Sequence, residues 1–384
     1  MVCETCGMYY IRRYKDYRHS KGGFMLLQDV AKKYIEFSND ESFRNYEKRF
    51  AEAILKGLCD VSLSERDKVR KMVEETNNLK EGNHQFSIRT NSIFIHGNKL
   101  IAEFICCSNK ARRELGDLIF IITVLYNGGL VYQKTTITQC KNNKQGKNNK
   151  QCANNKQATS WEIDEGQLYL LSRFPKFKIT CKGDQRSFCL QNYSNNLGTY
   201  ALFYDSDFFF LNAPYLELIR KGKKSINMGD ISELLLDLES GRGVCSILES
   251  HIPSEYSYNK NVYYRKTPNV FGLCDFALNI YDFASKYLRC CIGEVNYSKL
   301  NKYGRYNKSV SELLYFIIVR CPSISREDSY KELLSYLSKC LSLSSISNIS
   351  DIGNDNSHFG ADENYDDNGF GIIHTVVNLG EENS

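Results

Sequence analysis

Two hydrophobic periods divide this chain. Over residues 22–80 the apolar positions recur at helical spacing. Ser42 is a candidate N-cap, followed by Phe43, Tyr46, Phe50, Ala53 and Ile54; Ser62 or Ser64 is placed to cap a second helix through Val69, Met72 and Val73. From His84 the period shortens. Phe86 to Arg89 alternates, Asn91 to Ile95 reads as strand, and Leu118–Tyr126 is a continuous apolar run broken only by Thr123. Gly128-Gly129 follows as a turn signal, and Leu130–Lys141 returns as the second strand of a hairpin. Residues 165–178 suggest a short helix stopped by Pro175. Strands are expected at 187–190, 199–204 and 207–211, and mostly helix over 214–240 and 270–322. Gly371 to Leu379 is a final apolar strand, which must return to the main sheet or join a partner's sheet edge.

Two segments break the pattern. Asn-Asn-Lys-Gln occurs at 142–145, 148–151 and 154–157, a stretch with nothing apolar to bury and expected to form a loop. From Asp351 to Asn368 there are six acids and no Lys or Arg, which reads as an acidic linker. The expected organisation is a helical region over 1–80, an α/β core over 84–212 carrying the loop 142–157, a helical region over 213–340, a linker over 341–368 and the terminal strand within 369–384. The fold class is α/β, a mixed central sheet wrapped by N- and C-terminal helices.

Composition narrows the picture only a little. Charged residues are 25% and hydrophobic residues 42% of the 384, ordinary for a globular protein, and the net charge of +5 is compatible with an anionic partner such as nucleic acid. The longest apolar run is far short of the roughly 20 residues of a membrane span. Fifteen cysteines and no continuous apolar leader near the start suggest free thiols in a reducing cytoplasm. Cys3 and Cys6 could form half a zinc site, but no second such pair follows. The motifs GxxxxGK[ST], GxGxxG, HExxH and GxSxG are absent, which argues against the common nucleotide-dependent, zinc-protease and α/β-hydrolase chemistries. The Tyr-rich stretch Glu255 to Lys266 interleaves aromatics with cations, a pattern that stacks bases or simply makes an amphipathic loop.

The candidate chemistry lies at the ends of the hairpin. Asp117 stands just before the first strand; Gln139 and Lys141 end the second. Side chains alternate along a strand, so Gln139 and Lys141 share one face and Cys140 takes the other. An Asp carboxylate, the Gln139 side-chain carbonyl and the Cys140 backbone oxygen would offer hard oxygen ligands to Mg2+ or Mn2+, with Lys141 orienting water or stabilising developing charge. The same residues also suit an ordinary polar strand exit. His96 could sit near such a site, and His374 falls inside an apolar strand as a core or interface residue.

On Glu114, Asp117, Gln139 and Lys141 the chain resembles the PD-(D/E)XK nuclease superfamily, in its variant with glutamine before x-Lys. The resemblance covers at most the middle third of the chain. It implies a restriction-nuclease-like α/β core, magnesium-dependent cleavage of phosphodiester bonds, metal ligation by Asp117 and Gln139, and a preceding acid, Glu114 or Glu103, that assists the metal. Gln139 departs from the acidic pattern and lowers the negative charge of the site, and no Pro-Asp precedes it. By analogy of fold alone, such an enzyme fits microbial defence. Its rivals are a non-catalytic subunit that binds a protein partner through its terminal strand, and a degenerate nuclease fold that still holds nucleic acid.

Overall fold

A computed structural model describes residues 21–96, 100–143, 159–181, 184–190, 196–220, 222–239, 276–299, 306–320, 328–342 and 369–380. Most of the Asn-Asn-Lys-Gln repeat, the acidic segment to Asn368, the Cys3/Cys6 pair and the Tyr-rich stretch lie outside the described residues.

Among the described residues three helices come first: α1 (Lys21–Ser38), α2 (Glu41–Leu58) and α3 (Glu65–Thr76). Asp40, not Ser42, caps α2. Its carboxylate accepts from Ser42 N at 2.8 Å, so Ser42 sits inside the first turn as a donor. Ser64 caps α3, its hydroxyl accepting from Asp67 N at 3.2 Å. Strands β1 (Leu79–Gly82) and β2 (Phe86–His96) follow. Next come the hairpin β3 (Ile101–Cys106) and β4 (Asn109–Glu114), then the long hairpin β5 (Leu118–Tyr126) and β6 (Gly129–Asn142). The long hairpin turns on Asn127 and Gly128, with φ of 47° and 70°, rather than on Gly128-Gly129; Gly129 already pairs with Tyr126. Two consecutive residues at positive φ make the Asn-Gly turn that matches strand twist.

After β7 (Ser160–Glu162) the chain forms α4 (Glu165–Arg173), β8 (Phe177–Cys181), β9 (Asp184–Phe188), β10 (Gly198–Tyr204), β11 (Asp207–Asn212) and α5 (Ala213–Arg220). The stretch expected to be helical beyond 213 also holds strands. Its elements are β12 (Ser225–Asn227), α6 (Met228–Glu239), β13 (Phe276–Ala277), α7 (Ile280–Leu288), β14 (Glu294–Ser298), α8 (Lys308–Arg320) and α9 (Asp328–Leu341), and β15 (Gly369–Leu379) follows.

Among the described residues the main sheet is nine-stranded and mixed, in the order β1-β2-β15-β5-β6-β10-β11-β13, with β14 also on β6. The late strand β15 is central. It runs antiparallel to β2 over its whole length and parallel to β5 from Gly371 to Leu379, so both its edges are filled within the chain. Of the two expected outcomes, β15 takes the return to the main sheet, and neither of its edges is left open for a partner's strand. Both faces of the sheet are covered, which is why β5 is apolar but for Thr123: Phe120, Ile122 and Val124 pack with α2, α3 and α7, while Ile119 and Ile121 join the core under α4, α5, α8 and α9. A second, four-stranded sheet, β4-β3-β8-β9, packs one face into that latter core. The strands β3 and β4, unrecognised in the sequence, carry short alternating burial, with Ala102 and Phe104 in and Glu103 and Ile105 out. Among the described residues no helix is long and apolar enough to cross a membrane.

Candidate active site

The start of β5, the end of β6 and the start of α3 meet at one end of the main sheet. Asp117 is held there by its backbone: its N–H donates to Thr138 O and its carbonyl accepts from Gly371 N, each at 2.9 Å. The helix α3 approaches because Gly371 has no side chain; a Cβ there would lie 2.5 Å from Val73 Cγ2 and 2.8 Å from Leu118 Cδ1. Gly57 does the same between α2 and α3, where a Cβ would meet Met72 N at 2.7 Å. These close approaches bring the first turn of α3 to the edge of a cleft of about 320 Å³ whose walls include Ser64, Glu65, Glu114 and Asp117.

Of the expected site residues, Asp117, Gln139 and Lys141 do come together. Asp117 Oδ2 accepts from Cys140 N at 2.8 Å and from the Gln139 side-chain amide. Gln139 is buried, and its orientation follows from its neighbours. Gln167 Nε2, in the first turn of α4, donates to Glu114 O at 3.3 Å and to Gln139 Oε1, and Gln139 Nε2 lies 3.3 Å from Cys140 O. Backbone carbonyls only accept, so both amides turn their nitrogens toward them, and Gln139 presents N–H to Asp117 while its carbonyl is taken by Gln167. In this arrangement Gln139 orients the Asp117 carboxylate rather than offering an oxygen to the cleft.

Lys141 makes a 3.4 Å ion pair with Glu65 Oε1, and the other Glu65 oxygen accepts from Asn142 N at 2.9 Å. Glu65 is the residue that sequence reasoning missed; the only local signal was its place beside the Ser64 cap. Glu114 ends β4 on the cleft wall. Glu103 pairs instead with Arg112 at 3.1 Å on the small sheet. His96 pairs through its backbone with Gly369. His374 is buried in the middle of β15, with Nε2 at 2.9 Å from Thr123 Oγ1.

The electrostatics follow from this crowding. Burial raises the Asp117 carboxyl from its ordinary 3.8 to about 7; Glu65 adds to the rise, and Lys141 and the Cys140 N–H oppose it. Burial alone would lower Lys141, but the Glu65 and Asp117 carboxylates outweigh it and leave the ammonium above its usual value. The site therefore holds a permanent cation between two acids, one of which titrates near neutrality.

Among the described residues no cluster of three or more His, Cys, Asp or Glu side chains is arranged to hold a metal. What the cleft offers is two carboxylates, Asp117 and Glu65, with Glu114 on the wall. Carboxylate oxygens are the donors that hard ions such as Mg2+ and Mn2+ prefer, and these ions commonly keep several waters beside one or two carboxylates; among the described residues the cleft wall carries no His or Cys, the donors a structural zinc site draws on. No family model, curated protein or solved structure matches the chain.

Proposed function

We propose that the chain is a divalent-metal-dependent nuclease that hydrolyses phosphodiester bonds at the Asp117 cleft. The observation that carries this reading is the convergence of Asp117, Glu65 and Lys141, from three different elements, beside one cleft. Topology supports it: the antiparallel β5–β6 hairpin, the helix α4 and the return of β10 parallel to β6 make a mixed α/β unit of the kind the resemblance implies.

Asp117 and Glu65 would hold Mg2+ or Mn2+. When bound, such an ion polarises a phosphate and lowers the pKa of a coordinated water. The Gln167–Gln139 relay holds Oδ2 of the Asp117 carboxylate at the wall of the cleft. Lys141, kept protonated by its acidic neighbours, stabilises negative charge that develops as water oxygen bonds to phosphorus and the ester oxygen departs. The N-terminus of α3 adds backbone N–H groups beside the same cleft, a favourable setting for phosphate.

The test is cleavage of supercoiled plasmid, single-stranded DNA and RNA by the purified full-length chain with Mg2+ or Mn2+. Cleavage that EDTA abolishes, and that Asp117→Ala or Lys141→Ala each reduces by on the order of a hundredfold or more, supports the reading. No cleavage of any substrate with any divalent ion, or full activity in both variants, refutes it. Binding without cleavage would favour a degenerate site, for which the occupied Gln139 carbonyl is the specific observation.

A further inference from the structure

The face of the small sheet that turns away from the core has no part in the chemistry above. Pairing register defines it. Glu103 lies opposite both Arg112 on β4 and Lys178 on β8, and Ile105 lies opposite Lys110, so these five side chains project from one face. Burial agrees: Ala102, Phe104 and Ile179 point into the core, while Lys110, Arg112, Lys178 and Thr180 are exposed.

This face runs into the Asp117 cleft. A second cleft, of about 580 Å³, is walled by Ile101, Arg112, Arg113, Glu114, Asp164 and Gln167, and it shares Glu114 with the first. From Glu114 to Lys110 is four strand residues, roughly 13 Å at about 3.3 Å each. That span corresponds to about four phosphates of one strand along a duplex axis. We propose that this face receives the phosphate backbone of the nucleic acid where it leaves the cleft, with Lys110, Arg112 and Lys178 as its anion contacts. The proposal rests on the phosphodiesterase reading and names where its polymeric substrate lies.

The chemistry suits the role. Among the described residues Arg112 pairs with Glu103, an exposed pair in which the two side chains are 72% and 39% exposed. Such pairs contribute little, so a phosphate can replace Glu103 at small cost, and a guanidinium fork matches phosphate oxygens. Ile105, 54% exposed between these cations, offers apolar contact to sugar or base. Among the described residues Glu103 is the acid at the centre of the face and Glu114 stands at its cleft end; the three cations outnumber the acid between them.

The experiment measures binding apart from cleavage. Affinity of the full chain for a short fluorescein-labelled duplex, and for one of its strands, is followed against salt in EDTA. The variant Lys110→Ala/Arg112→Ala/Lys178→Ala is compared with Lys32→Ala/Lys48→Ala/Lys56→Ala. The latter removes the same charge from side chains 78%, 70% and 68% exposed on α1 and α2. All six positions are on the surface, so both variants fold. The sheet variant should bind about tenfold or more weakly, with a log–log salt slope shallower by about 3, while the helix variant behaves as wild type. Equal losses in both variants, an unchanged slope in the sheet variant, or no binding by the wild type would overturn the proposal. A face that serves an acidic protein instead would give the unchanged slope. Failure of cleavage with face-dependent binding intact would remove the nuclease reading and leave this one standing.

Discussion

Replacing Asp117 with Asn should stabilise the protein most at alkaline pH and much less in mild acid. Both donors to this side chain, Cys140 N and Gln139 Nε2, meet the same oxygen, Oδ2. An Asn oxygen in that position accepts both, while the charge that Glu65 repels is gone. The folded carboxyl titrates at about 7 against an ordinary 3.8. Between those values the folded chain holds the proton more tightly than the unfolded one, so stability falls as pH rises through the window and stays lower above it. A gap of about 3 pH units at about 1.36 kcal/mol each sets an upper bound of about 4 kcal/mol. Water in the cleft screens part of it, leaving roughly 2–4 kcal/mol. Urea unfolding of wild type and Asp117→Asn at pH 4.5 and pH 8.5 reads the difference directly. The variant should gain most of that energy at the higher pH and only about a quarter of it at the lower. Equal stability at both values, or a variant weaker at pH 8.5, would refute the account of a carboxylate destabilised by its surroundings.

Three further outcomes follow from the same geometry. Gly371→Ala puts a Cβ against Val73 and Leu118 and forces α3 outward; it should cost about 1–3 kcal/mol in urea unfolding, as overpacking does, and lower any cleavage rate because Glu65 moves with the helix. Gln139→Glu sets a second carboxylate against Asp117, so without metal it should be less stable than wild type above pH 7, and Mg2+ should restore more stability to it than to wild type in thermal unfolding. Ending the chain before Gly369 removes the strand between β2 and β5; the truncated protein should aggregate or lose its cooperative unfolding transition, and a soluble, cooperatively folding product would contradict the central placement of β15.

The sequence made the hairpin and its polar ends legible because they are local. An apolar run, a turn and a two-residue spacing on one strand suffice to align Gln139 with Lys141, and the backbone pairing of Asp117 with Thr138 completes the arrangement. The Ser64 cap was legible for the same reason. Glu65 was not, because its place at the cleft depends on helix packing over Gly371, some 300 residues further along the chain. The central position of β15 was hidden similarly: an apolar strand looks the same whether it ends in the middle of a sheet or at its edge. The orientation of Gln139 depends on Gln167 and on the Glu114 carbonyl, both from other elements, besides the adjacent Cys140 carbonyl, and no spacing rule encodes them. The β3–β4 hairpin escaped because its alternation is short and its turn falls on Cys107 and Ser108, at φ of 48° and 68°, rather than on glycine.

The claim at the centre of this account is that Asp117 and Glu65 form a divalent-cation site, and a metal titration tests it without knowledge of the substrate. Mn2+ is titrated calorimetrically into the full-length chain at pH 7, in buffers of different ionisation enthalpy, beside Asp117→Asn and Glu65→Gln. With the Asp117 carboxyl at about 7, binding should release about half a proton per ion at that pH and almost none at pH 9, and each variant should bind much more weakly. A wild-type chain that takes up no Mn2+, or variants that bind it as tightly as wild type, would contradict the account.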